Sequence, residues 1–83
     1  MYEIIFTEEA KQQLRKLDKR AQERIGAAIE RIKVRPYNFV RRLYNSKYYR
    51  LRVDHYRLIL DIQDLKLIIY VIKVGHRGDV YKK

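Results

Sequence analysis

An α+β fold is predicted, in the order βααβββ: an N-terminal strand, a two-helix hairpin, then an antiparallel three-stranded meander, with the helices packed on one face of the sheet. Three observations predict it. Apolar residues recur at helical spacing between Ala10 and Ile32, they alternate with polar ones from Tyr48 onward, and turn-forming residues separate these segments.

Tyr2, Glu3, Ile4, Ile5 and Phe6 favour extended backbone and lead into Thr7, whose hydroxyl suits a helix N-cap. Glu8 and Glu9 complement the first-turn dipole. Ala10, Leu14 and Leu17 make one apolar stripe. Asp18 offers a second N-cap, after which Ala21, Ile25, Ala28, Ile29 and Ile32 repeat the pattern, completing an αα-hairpin. Gly26 lowers helix propensity by about 1 kcal/mol relative to Ala, which points to a close contact or a tolerated mismatch. Pro36 ends the second helix, and residues 37–46 follow neither period, so an ordered loop is expected.

From Tyr48 the side chains alternate, with Tyr49, Leu51 and Val53 on one face and Tyr48, Arg50 and Arg52 on the other. Asp54 and His55 form a short turn. Tyr56, Leu58, Leu60 and Ile62 then face the core, while Arg57, Ile59 and Asp61 face away, so three arginines share an exposed sheet face. Residues 63–66 turn the chain again. Leu67 to Val74 is apolar except for Lys73, as expected of a central strand covered on both sides. Gly75, His76, Arg77, Gly78 and Asp79 are read as a glycine-bounded loop before Val80, Tyr81 and two lysines.

Eighty-three residues make one domain, 1–83, with an adequate core and little to spare. Twenty Lys and Arg against ten Asp and Glu give a net charge of +10, which attracts polyanions. No apolar run reaches the roughly 18 residues of a membrane span, so a soluble, cytoplasmic protein without a membrane partner is expected. With no cysteine, disulfides and thiolate chemistry are excluded. A single Ser and a single Thr disfavour a hydroxyl nucleophile. His55 and His76 have no carboxylate at ligand spacing, so no metal site is expected, and no glycine-rich phosphate loop is present. Asp54, Asp61, Asp64 and Asp79 sit in turns or opposite arginines, where salt bridging accounts for them better than paired-carboxylate hydrolysis.

Two positive signals remain. Arg31 to Val53 holds eight Lys or Arg and no acidic residue, interleaved with Tyr37, Phe39, Tyr44, Tyr48 and Tyr49. Basic groups clamp phosphates and aromatic faces stack on unpaired bases, a combination suited to single-stranded RNA. Charge alone leaves an acidic protein segment open as the other partner. The second signal is convergence: Arg50, Arg52 and Arg57 share a face, Arg77 follows the next strand, and such a cluster calls for an anion. Tyr81 fits either a general base beside guanidinium groups or a packing residue, and His76 either a proton-transfer group or a loop residue without a role.

The segments Tyr49-Arg50-Leu51-Arg52-Val53, Tyr56-Arg57-Leu58-Ile59, Val74-Gly75-His76-Arg77 and Val80-Tyr81 together resemble the RelE/ParE toxin superfamily, over nearly the whole chain. The resemblance, and its RelE-like branch in particular, implies the toxin of a type II toxin-antitoxin system that cuts mRNA in the ribosomal A site. It implies a RelB-like antitoxin in a hetero-oligomeric complex, with ribosome and mRNA as the other partners and no cofactor or metal. Arg57, Arg77, Tyr81 and Arg52 would then be catalytic, and Arg50, Arg41, Arg42, Lys47 and His76 RNA-binding. Where the best-known RelE-type members carry lysines, this chain has Arg50 and Arg52, so proton transfer falls to Tyr81, His76, or the RNA and ribosome. The same resemblance admits a ParE-like DNA gyrase inhibitor; a non-catalytic RNA-binding protein and an inert relative that serves as an antitoxin-binding repressor component are the other readings.

Overall fold

In the computed structural model, which describes residues 1–76, the caps expected from sequence form as hydrogen bonds. Thr7 Oγ1 accepts from the Ala10 N–H at 3.1 Å and starts α1 (Glu8–Arg15); Asp18 Oδ1 accepts from the Ala21 N–H at 2.8 Å and starts α2 (Lys19–Ile32). Between them, the Gln22 amide donates to the Leu14 and Leu17 carbonyls at 3.0 and 3.1 Å. Leu14 is in the last turn of α1, whose carbonyls lack ordinary intrahelical partners, and Leu17 lies in the turn between the helices.

The strands are β1 (Glu3–Phe6), β2 (Val40–Arg42), β3 (Tyr49–Val53), β4 (Tyr56–Gln63) and β5 (Ile68–His76). They form one sheet in the order β1-β5-β4-β3-β2, with β1 parallel to β5 and every other pair antiparallel. The helices cover one face. Ile25, Ile29 and Ile32 of α2 pack with Leu51, Val53, Leu58, Leu60, Ile69, Val71 and Val74 in a single core.

Three expectations are corrected. Residues 37–46 are not simply a loop: a 3₁₀ turn at Pro36–Asn38 leads into β2, so the antiparallel part has four strands rather than three. A strand of three residues is too short to display a period of two. Gly75 and His76 continue β5, paired with Arg57 and Tyr56, instead of opening a loop. β5 is interior by pairing, yet only its helix side is fully covered: Ile69, Val71 and Val74 are buried while Lys73 is exposed.

β4 and β5 pair Leu60 with Val71 but Ile59 with Lys73, so Ile72 is the extra residue of a β-bulge. Backbone groups freed there are taken up by α1 and its cap. Thr7 Oγ1 donates to the Ile72 carbonyl at 2.9 Å, and the Val74 N–H donates to Gln13 Oε1 at 2.7 Å. The bulge keeps Val71 and Val74 in the core and turns Lys73 outward. At Gly26 an added Cβ would meet no atom, so no close contact explains the glycine.

Candidate functional site

Residues directly opposite one another in a ladder share a face, with Cβ atoms about 5 Å apart. Arg52 pairs with Arg57, and Arg57 with Gly75. The next row runs from Arg41 through Arg50 and Ile59 to Lys73. Both rows lie on the face away from the helices, because the intervening Leu51, Leu58 and Val74 point into the core. The sheet thus presents four arginines and a lysine on one surface.

Depth differs along the rows. Arg57 is 7% exposed, the one buried charged residue among those described, whereas Arg52 and Arg41 are exposed and Arg50 is half-buried. Arg57 faces away from the core as expected, but it is not on an exposed surface. Gly75 leaves no side chain beyond it on β5. Like charges directly opposite destabilise a sheet, and an anion laid over the row offsets that cost. Asp61 lies on the same face but in another row, opposite Tyr70, and accepts from the Gln63 amide at 3.0 Å. Asp54, at the β3–β4 turn with φ 54°, is held by Arg24 of α2: it forms an ion pair with Arg24 Nε and accepts from Nη2 at 3.0 Å. Arg52 therefore keeps no carboxylate partner among the described residues.

Arg41, Arg50, Arg52 and Arg57 are brought together on this face; other predicted site residues are not. Arg42 pairs with Tyr49 on the helix side, donates to the Ser46 carbonyl at 2.9 Å and lies 5.9 Å from the Tyr49 ring centroid. Lys47 sits in the loop joining β2 and β3, 5.4 Å from the Tyr48 ring centroid. His76 pairs with Tyr56 on the helix side, their rings 4.7 Å apart, so it does not share the arginine face. Arg77 and Tyr81 lie outside the described residues.

Lys73 was missed as a site residue. Its signal was the one charge in the apolar run of β5, but its face depends on the bulge at Ile72, which the sequence does not announce. A lysine therefore does stand on the arginine face. Phe39 also joins the site, lining a depression with Arg41, Arg50 and Arg52.

A family model described as the ParE toxin of type II toxin-antitoxin system, parDE, matches residues 4–81. The intact E. coli RelBE toxin-antitoxin complex contains a chain of the same fold, with 25% identity, a TM-score of 0.81, and coverage of 92% of this chain and 96% of that one. The Mycobacterium tuberculosis toxin-antitoxin complex RelBE2 is similar at 25% identity and a TM-score of 0.81, covering 92% and 98%. The isolated E. coli RelE toxin is similar at 27% identity and a TM-score of 0.76, covering 98% and 92%. No curated protein sequence matches the chain.

Proposed function

Because the chain belongs to the ParE toxin family of type II toxin-antitoxin systems, we propose that it acts as a RelE-type toxin, an endoribonuclease that cuts mRNA in the ribosomal A site and so stops translation. The observation that carries this reading is Arg52 directly across from Arg57 on the helix-free face, flanked by Arg41 and Arg50. Its partner is a RelB-like antitoxin, as in the RelBE complexes of E. coli and M. tuberculosis.

In the reaction the RNA 2′-oxygen gives up its proton and attacks the adjacent phosphorus. The bond from phosphorus to the 5′-oxygen breaks, that oxygen takes a proton, and a cyclic phosphate and a 5′-hydroxyl result. Arg57 and Arg52, with Arg77, hold the phosphate and stabilise the negative charge that grows on it. Guanidinium groups stay protonated, so they do not move the protons. Tyr81 and Lys73 are the side chains for that task, with the RNA and ribosome contributing alignment; His76, on the other face, is the weaker candidate.

The test is primer extension on an mRNA with and without translating ribosomes, alongside Arg52→Ala, Arg77→Ala and Tyr81→Phe. We expect defined cuts only with ribosomes, and about a 100-fold loss of cutting for Arg52→Ala at unchanged melting temperature. Full cutting by that variant removes Arg52 from the mechanism. No cutting with active, compatible ribosomes overturns the nuclease reading. The description of the matching family favours one second reading, a ParE-like gyrase inhibitor, which a DNA supercoiling assay detects.

A further inference from the structure

We propose that Phe39 is a stacking platform for an unpaired base of single-stranded RNA, set beside the arginines that hold its phosphates. This rests on the reading that the helix-free face meets RNA, and it adds a base-binding subsite.

The aromatic residues of the basic run are sorted by their contacts. Tyr37 donates its hydroxyl to Asp64 and packs edge-on against Tyr49 at 5.4 Å. Tyr49 packs against the core and carries Arg42 over its ring. Tyr48 is half-buried beside Lys47. Tyr44, 95% exposed, stands on the β2–β3 loop with no partner for its ring among the described residues. Phe39, 44% exposed, lines a depression with Arg41, Arg50 and Arg52 of the arginine face, whereas the depression at Tyr44 is formed by the β2–β3 loop with Arg42 and Lys47, off that face.

Its surroundings fit a nucleotide. Phe39 directly precedes β2, and Val40 pairs with Leu51, which brings it beside Arg52 at the edge of the row that continues to Arg57. Strand spacing sets the Phe39 backbone roughly 10 Å from that of Arg57, so a base on Phe39 belongs to a nucleotide flanking the phosphate at Arg57. The Arg31 guanidinium lies 5.9 Å from the ring centroid and steadies the ring from α2. Arg31, Arg41 and Arg52 have no carboxylate partner among the described residues. An aromatic face ringed by such cations matches the chemistry of a base and its phosphates, whereas an acidic peptide would use the charges and leave the ring idle.

The chain has no tryptophan, so Phe39→Trp installs a single fluorescent reporter at the platform. It is titrated with a short single-stranded RNA and with an abasic oligonucleotide of equal length and charge; Phe39→Ala and Tyr44→Ala are titrated by anisotropy with labelled RNA, and all variants are checked by thermal unfolding. We expect quenching by the RNA but not by the abasic strand. Phe39→Ala should weaken RNA binding about 10-fold, with little effect on abasic binding and less than about a 2-fold effect of Tyr44→Ala. Equal affinity of the folded wild type for RNA and abasic strand, no quenching, or a larger effect at Tyr44 overturns the platform. Because binding is read without ribosomes, quenching by a protein that never cuts mRNA would keep the platform and sink only the nuclease reading.

Discussion

At the scale of single residues, strand alternation identified the face of Arg50, Arg52 and Arg57 but not their depth. Alternation reports which side of a sheet a residue takes, and burial depends on what else lies over that side. Arg42 and His76 illustrate a second limit: the short β2 and the end of β5 carried too little pattern to fix their faces. Asp64 shows a third: it is the turn residue the sequence reads, but its carboxylate accepts from Tyr2 at 2.7 Å and from Tyr37 at 2.9 Å, partners too distant in sequence to be foreseen. Burial, and then the hydrogen bond to the Asp64 carboxylate, holds the Tyr37 phenol well above its ordinary value. A raised phenol pKa contributes stability that is full below about pH 10, where the unfolded phenol is still protonated, and that is lost as pH rises through the folded value. Tyr37→Phe should therefore cost about 1 kcal/mol at neutral pH and unfold with a shallower alkaline decline above about pH 10. Urea unfolding of both proteins across that range checks it.

At the scale of elements, the helices were legible almost in full, because their caps and apolar stripes are local features. β3, β4 and their turn were legible for the same reason. β2 and the Ile72 bulge were not, since each is defined by a partner strand or by Thr7 and Gln13 reaching across from another element. α2 also carries a residue that its packing does not require. Gly26 is exposed and an added Cβ there meets nothing, so Gly26→Ala should stabilise the fold by about 1 kcal/mol. Thermal unfolding should register a rise of about 5 °C, and no rise would overturn the reading of Gly26 as a tolerated mismatch.

For the whole molecule, the charge of +10 reads directly from the sequence, while its concentration on one face needed the register of four strands. Association with single-stranded RNA should consequently weaken steeply with salt. If Arg41, Arg50 and Arg52 each neutralise a phosphate, the slope of log affinity against log salt is about −2, at roughly −0.7 per phosphate. A titration series at several salt concentrations measures it, and Arg41→Ala should flatten the slope by one such step. A flat response would assign the basic face to something other than a phosphate backbone.

The parallel pairing of β1 with β5 has a consequence for the order in which the molecule is assembled. β1 is made first, yet its neighbour in the sheet is the fifth strand, and Thr7 meets Ile72 across a separation of 65 positions. The β2–β3 and β3–β4 hairpins close over short loops, whereas docking β1 must close nearly the whole chain, the slow kind of contact in two-state folding. During synthesis the first strand, and α1 with its cap, lack their partner until β5 has been made. Lys73 and the Arg57–Gly75 pairing also need β5, so the basic face is completed late. A nascent chain of this protein is thus an incomplete toxin until β5 has been made.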